Sequence, residues 1–154
     1  MFDFSGKYYV SVDDKGRVVI PAPIKKEMGD DAMGMVTLEK DPYENCLNVY
    51  PKSVWQRRIE RIRSKLDYNN RNHSRVLDSF YQRIAKVALS DKGRVNVPAH
   101  LISEAHLQKE VVITGQGERF RIWDKALYEQ SVLSADDYAQ LFEQCLGGSI
   151  DPEE

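Results

Sequence analysis

The sequence has few of the residues from which metal and disulfide sites are built. Its two cysteines, Cys46 and Cys145, lie far apart and form no Cys-x-x-Cys pair, which excludes a zinc-ribbon pattern and a disulfide framework. We interpret both as small apolar residues. The histidines show no metal-ligand spacing either; they are His73, His100 and His106. The sequence therefore predicts no metal and no cofactor.

Catalytic and membrane signatures are also missing. There is no glycine-rich phosphate loop and no nucleophile motif, and the paired carboxylates Asp13 and Asp14 stand beside a lysine in a turn. No apolar run approaches the roughly 20 residues that span a bilayer. The first residues lack the basic and apolar regions of a signal peptide. We therefore expect a cytoplasmic protein that is not an enzyme and has no membrane partner.

Charge is distributed unevenly along the 154 residues. The formal net charge is −2, yet residues 52–83 hold 9 Lys/Arg against 3 Asp/Glu, and residues 129–154 hold none against 7. The composition, 42% hydrophobic and 30% charged, is that of a globular protein with one ordinary domain or two very small ones. A basic middle and an acidic tail permit a local electrostatic contact with a charged partner.

One nine-residue stretch occurs twice. Residues 14–22 read Asp-Lys-Gly-Arg-Val-Val-Ile-Pro-Ala, and residues 91–99 read Asp-Lys-Gly-Arg-Val-Asn-Val-Pro-Ala. Eight of the nine positions are identical or exchange one β-branched aliphatic residue for another, at a constant offset of 77. Such a match indicates an internal duplication.

Each copy predicts the same order of elements, namely strand, turn, strand, short helix and two strands. In the first copy these are strands at 7–12 and 17–20, a helix at 22–28 that ends at Gly29, and strands at 35–39 and 46–50. In the second copy the strands are at 85–89, 94–97, 110–114 and 119–123, with the helix following Pro98. A unit of roughly 45 residues is too small to bury a core alone. We therefore expect one α+β, mainly β, pseudo-twofold structure.

Helical sequence connects the copies. Apolar residues recur at helical spacing after Pro51, at Trp55, Ile59, Ile62 and Leu66. Residues 68–74 are predicted to break the helix, and a second stripe follows at Val76, Leu77, Phe80, Tyr81 and Ile84. The cations of the first helix are Arg57, Arg58, Arg61, Arg63 and Lys65. Three interpretations of these cations remain open, namely a solvated face, a DNA-facing surface and a subunit contact.

A last helix is predicted after the second copy, with Ser134 as its N-cap. Its apolar stripe is interpreted as core or subunit interface and consists of Tyr138, Leu141, Phe142 and Cys145. The predicted organisation is a first repeat at 7–54, a helical connector at 55–83, a second repeat at 84–127, and a C-terminal helix with an acidic tail at 128–154.

The duplicated turn is the candidate binding site. It places a lysine and an arginine around a glycine at the head of a strand pair, in residues Lys15, Gly16, Arg17, Lys92, Gly93 and Arg94. Phosphates attract both cations, arginine can bind guanine, and a two-stranded ribbon fits the major groove of DNA. The glycines serve backbone geometry. In the alternative interpretation, Asp13 pairs with Arg17 across the turn, and this pair would need no DNA.

At these residues the chain resembles the MraZ family of bacterial regulators. The resemblance is carried by Asp13-x-x-Gly16-Arg17 with the following Val-x-Ile-Pro and by its second copy. The endings Tyr50-Pro51 and Trp123-Asp124 also match. The resemblance implies two SpoVT-AbrB motifs in one chain, forming a swapped-hairpin AbrB-type β-barrel with flanking and C-terminal helices.

The resemblance also implies a function. MraZ-like proteins are nucleoid-associated transcription factors that bind double-stranded DNA. They act at short direct repeats in the promoter of the division and cell-wall gene cluster that contains their own gene, and they assemble as homo-oligomeric rings. The family's DNA-contacting motif, Asp-x-x-x-Arg, corresponds to Asp13 and Arg17 here. The second copy has Ser90 and Arg94 instead, and because its leading acid is missing we expect the first copy to dominate.

Two other functions remain open. AbrB-like folds also occur in antitoxins, which use a tail of their own to neutralise a protein toxin. The tail of this chain is short and acidic, which weakens that interpretation. A ring-forming interaction module without DNA binding is the other possibility.

Overall fold

The computed structural model describes residues 1–147 of the chain. Within that range the protein has eight strands and six α-helices. The strands are β1 (Lys7–Ser11), β2 (Arg17–Val19), β3 (Met35–Lys40), β4 (Cys46–Pro51), β5 (Ile84–Ala88), β6 (Arg94–Asn96), β7 (Glu110–Gln116) and β8 (Arg119–Asp124). The helices are α1 (Ala22–Met28), α2 (Lys52–Lys65), α3 (Arg71–Gln82), α4 (Ala99–Glu104), α5 (Lys125–Ser131) and α6 (Ala135–Leu146).

Six strands form one antiparallel sheet in the order β1-β7-β8-β4-β3-β5. The first strand of each copy pairs with the third strand of the other copy, so that β1 lies beside β7 and β5 lies beside β3. The fourth strands, β4 and β8, pair with each other at the centre. The sheet therefore reads the same from its centre outward in both directions, as the duplication predicts.

The second strands form a separate two-stranded sheet. β2 and β6 pair antiparallel, with Val18 opposite Val95 at the middle of the pair. Backbone bonds extend this pairing on both sides, from the Ile20 amide to the Gly93 carbonyl and from the Val97 amide to the Gly16 carbonyl. The two nine-residue copies therefore lie against each other.

The α+β class is confirmed, whereas the barrel stays a prediction. Among residues 1–147 the strands form two sheets, and no closed barrel is found. β2 and β6 have only three residues each, and they reach the ends of the first strands through single bridges, Val12 to Val18 and Leu89 to Val95.

Both copies contribute to one apolar core. Its largest fully buried apolar side chains are Phe120, Ile24, Leu38, Leu47, Leu101, Ile113, Ile122, Val18, Val36, Val49 and Val95. Because neither copy could shield such a set alone, this shared burial couples the stability of the two repeats.

A buried polar network fixes α2 on the sheet. Glu39 is 2% exposed and accepts hydrogen bonds from Arg58 of α2, from Asn48 and from Tyr50. Asp41 is likewise buried and forms an ion pair with Arg121 at 3.0 Å. Both buried carboxylates are therefore paired, which leaves no charge unsatisfied, and the Glu39–Arg58 pair holds α2 on the sheet.

Some sequence predictions for the helices are wrong. The helix break predicted over 68–74 is too long, because α3 already begins at Arg71. The Asn70 side chain caps this helix by accepting hydrogen bonds from the backbone amides of Asn72 and His73. Helix α5 was not predicted, and its start is fixed by Asp124, whose carboxylate accepts the Leu127 amide. After Gly29 the chain continues as a short 3₁₀ helix over Gly29–Met33.

The C-terminal helix also departs from one expectation. Ser134 is its N-cap, as predicted, and accepts the Asp137 amide. None of its residues is buried, so its stripe is not part of the core, and Cys145 is exposed whereas Cys46 is buried. The predicted acidic tail continues into residues 148–154, which lie outside the described residues. In the described part of the chain, every helix is too short or too polar to cross a bilayer.

Candidate nucleic-acid interface

The first turn is organised by the carboxylate of Asp13. One oxygen, Oδ1, accepts the backbone amides of Lys15 and Arg17, each at 2.9 Å. The other, Oδ2, accepts the Arg17 Nε at 2.6 Å. Gly16 completes the turn with φ of 79°, a left-handed conformation that favours glycine. The ion pair proposed as an alternative from the sequence is therefore present.

These hydrogen bonds keep Asp13 charged. The Arg17 backbone amide is the largest cause that lowers the pKa of the carboxyl below 3.8, and the Arg17 side chain and the Lys15 amide lower it further. Because the pKa is lowered, the ion pair holds at neutral pH and is lost only as the pH falls through the lowered value.

The ion pair leaves the outer edge of Arg17 available. Asp13 engages Nε, and no acceptor for the two Nη atoms is found within the described range. A guanidinium that binds guanine O6 and N7 needs two adjacent donors in a fixed orientation. Asp13 therefore orients Arg17 without consuming the donors that a base would need.

The second turn has the same backbone with a different cap. Ser90 Oγ accepts the Arg94 amide at 3.0 Å, as Asp13 accepts that of Arg17. Gly93 has φ of 74°, close to the value at Gly16. A hydroxyl cannot pair with a guanidinium charge, and no side-chain partner for Arg94 is found among residues 1–147. Arg94 is therefore less constrained than Arg17.

The two arginines share one face of the β2–β6 ribbon. Arg17 lies opposite Asn96, and Val19 lies opposite Arg94. Because side chains alternate along a strand, these four residues point away from the buried pair Val18 and Val95. Diagonal neighbours in such a pair are about 7–8 Å apart at Cα. The ribbon thus presents two arginines, with Val19 and Asn96 exposed between them.

Lys25 adds a cation to the second turn. Its Nζ donates to the Asp91 carbonyl at 3.4 Å, and its side chain packs beside Gly93. The equivalent residue of the other copy, Ile102, packs beside Gly16. The first turn has two cations and two carboxylates, whereas the second, with Lys25, has three cations and one carboxylate. The second turn is therefore the more basic.

The structure brings all the predicted site residues to the two ends of one ribbon. Lys15 and Lys92 are exposed beside the buried glycines of their turns. Sequence reasoning missed Lys25, Val19 and Asn96. Val19 and Asn96 occupy equivalent positions in the two copies, and this is the one position of the nine at which an apolar residue is replaced by a polar one. That difference was the signal in the sequence that could have identified them. Within residues 1–147 there is no cluster of His, Cys, Asp or Glu that could hold a metal.

Comparison with known proteins identifies the family. The family model described as "MraZ protein, putative antitoxin-like" matches residues 4–78 and 82–144. A curated relative from Limosilactobacillus fermentum, named "Transcriptional regulator MraZ", is 36% identical over 90% of this chain and 93% of its own. Another of the same name, from Phocaeicola vulgatus, is 28% identical over 94% of each chain.

One solved structure also aligns with the chain. The solution structure of PHS018 from Pyrococcus horikoshii covers 76% of this chain and 94% of its own, with 14% identity and a TM-score of 0.36. That score is too low to bear on the fold. The family model and the two curated relatives span nearly the whole sequence, and the chain belongs to the MraZ family.

Proposed function

We propose that this protein is a transcriptional regulator that binds double-stranded DNA through the outer face of the β2–β6 ribbon. The observation that carries the proposal is the pair of arginines on one face of a two-stranded ribbon, above a buried valine pair. A ribbon of this kind can enter the major groove, where base edges are read. Curated relatives named as transcriptional regulators support the same function.

The two turns have different roles in this proposal. Arg17, held by Asp13, binds a base edge, and Gly16 allows the turn to bend beneath it. Arg94, with Lys92 and Lys25, binds phosphate, for which charge matters more than orientation. Lys15 provides a further phosphate contact. Gly93 supports the second turn as Gly16 supports the first.

The finer features follow the family resemblance. The DNA targets are short direct repeats in the promoter of the division and cell-wall gene cluster that includes the protein's own gene. The two SpoVT-AbrB repeats, at 7–54 and 84–127, interlock as swapped-hairpin halves of a barrel. The protein is a cytoplasmic, nucleoid-associated homo-oligomer that requires no cofactor. Repeated weak contacts along direct repeats add through effective concentration, which explains how a chain with net charge −2 can bind DNA.

The test is binding of the full chain to the DNA upstream of its own gene, compared with a scrambled fragment over a salt series. We expect tighter binding to the upstream fragment, and affinity for both fragments should fall as salt rises because bound counterions are released. Equal affinity for both fragments at every salt concentration would refute the regulator. It would favour the interaction-module alternative or the antitoxin alternative, and only the second is reflected in the family model's description, which includes the words "antitoxin-like".

A further inference from the structure

Asn96 is a polar residue that the second repeat contributes to the outer face of the β2–β6 ribbon. It lies directly opposite Arg17 in the strand pair, and it is exposed. Its side-chain amide lies close to the first turn, since a Cβ added at Gly16 would be 3.6 Å from the Asn96 Oδ1. Although Asn96 belongs to the second repeat, it therefore lies beside the oriented arginine of the first.

Folding alone does not account for an asparagine at this position. Asparagine is depleted in strands, and the equivalent residue of the first repeat is Val19, which has the β-branched side chain that strands favour. No hydrogen-bond partner for the Asn96 side-chain amide is found among residues 1–147. The amide therefore keeps both its donor and its acceptor available for a ligand.

The two ends of the ribbon differ because of this residue. Arg17 has the Asn96 amide opposite it, whereas Arg94 has the apolar side chain of Val19 opposite it. Directly opposite residues of antiparallel strands have Cβ atoms about 4.5–5.5 Å apart, and successive base pairs of DNA are about 3.4 Å apart along the axis. The side chains of Arg17 and Asn96 are therefore spaced so that they can reach neighbouring base pairs.

The chemistry of the Asn96 amide matches one base edge in the major groove. Its carbonyl oxygen can accept from adenine N6 while its amino group donates to adenine N7, as arginine donates twice to guanine. A phosphate contact would use the amino group alone. The exposed lysines of the two turns, Lys15 and Lys92, already provide cations for phosphate. The position beside Arg17 therefore favours contact with a base.

We propose that Asn96 reads an adenine in the base pair adjacent to the guanine that Arg17 binds. The inference rests on the proposed function, because it assigns a base to the DNA that the ribbon binds. The end of the ribbon at the first turn then recognises two neighbouring base pairs. The other end, with Val19 beside Arg94, has no amide and reads no adenine.

Selection from a random-sequence duplex library with the full chain tests the assignment. The wild type should enrich a site in which a G·C pair adjoins an A·T pair. Asn96→Val gives the second copy the residue of the first, and it should keep the guanine while losing about tenfold of the preference for adenine. Val19→Ala is the matched control at the equivalent position and should keep both preferences. Circular dichroism checks that each variant folds.

A modified base separates a contact with the base edge from a contact with phosphate. Replacing the selected adenine with 7-deazaadenine removes the N7 acceptor, so it should weaken wild-type binding several-fold and leave the affinity of Asn96→Val unchanged. A wild type that binds both bases equally well would overturn the inference, whatever the variant does. An Asn96→Val protein that loses affinity equally for every sequence would also overturn it, because that result indicates a phosphate contact.

The selection also distinguishes this inference from the proposed function. An enriched site that requires guanine but no adenine would refute the role of Asn96 and leave the DNA-binding ribbon standing. A library from which the wild type enriches no sequence would refute both.

Discussion

Asp13 and Ser90 perform the same backbone task at equivalent places in the two copies. Each accepts the amide four residues later and closes a turn around a left-handed glycine. Only Asp13 also holds its arginine. The backbone of the turn is therefore the same in both copies, and only the contact with the arginine side chain has diverged since the duplication. The comparison teaches that two nearly identical motifs can present one oriented arginine and one unpaired arginine.

Among changes that leave both arginines in place, exchanging the two caps should have the largest effect on DNA binding. Asp13→Ser frees Arg17, and we expect the preference for upstream over scrambled DNA to fall by about tenfold to a hundredfold, the range for losing one arginine–base contact. The reciprocal change, Ser90→Asp, neutralises Arg94 and should weaken binding to both fragments alike. Affinities at one fixed salt concentration measure both variants.

Two outcomes would contradict the different roles assigned to Asp13 and Ser90. If Asp13→Ser retains the wild-type preference, orientation by Asp13 is irrelevant to base recognition. If Ser90→Asp lowers the preference more than Asp13→Ser does, the two turns have been assigned the wrong roles.

The glycines should differ in how much they contribute to stability. Alanine at either position adopts a left-handed conformation, which costs about 1–3 kcal/mol of unfolding free energy. The cost should be larger at Gly16, where an added Cβ would lie 3.0 Å from the Val97 carbonyl oxygen, than at Gly93, where it meets Lys25 at 3.4 Å. Denaturant unfolding of Gly16→Ala and Gly93→Ala measures the difference. Equal losses would show that the space around the two turns is the same.

Removing Lys25 should have the smallest effect. Lys25→Ala eliminates one phosphate contact, so binding to any sequence should weaken equally and the salt slope should fall by about one. The neighbouring Lys26 is a matched control of the same charge on the same helix, and Lys26→Ala should change the slope less. A change in sequence preference for Lys25→Ala would contradict a phosphate role.

Much of the fold was predictable because it depends on local signals. The duplication, the turn residues and the helix over Ala22–Met28 follow from the sequence, and α1 has the predicted bounds. Helix α5 was missed because its cap, Asp124, ends a strand. His106 adopts a left-handed conformation with φ of 57°, close to the 58° of the equivalent Gly29 in the first copy. This conformation could not be predicted from the second copy, because a histidine rather than a glycine occupies the position.

The site was less predictable than the fold, because its charge depends on contacts between copies. Lys25 belongs to the first copy by sequence and lies at the turn of the second. Only the exchange of strands between the repeats brings the two together. No pattern within one copy contains that information.

The most direct test compares Arg17→Ala with Arg94→Ala for binding to upstream and scrambled DNA over a salt series. Both variants must keep the wild-type fold and mass, since unfolding by Arg17→Ala would show that its ion pair with Asp13 serves only stability. We predict that Arg17→Ala abolishes the preference for upstream DNA. Arg94→Ala should keep the preference and lose about one unit of salt slope. Equal loss of preference in both variants would contradict the division of roles between the two turns.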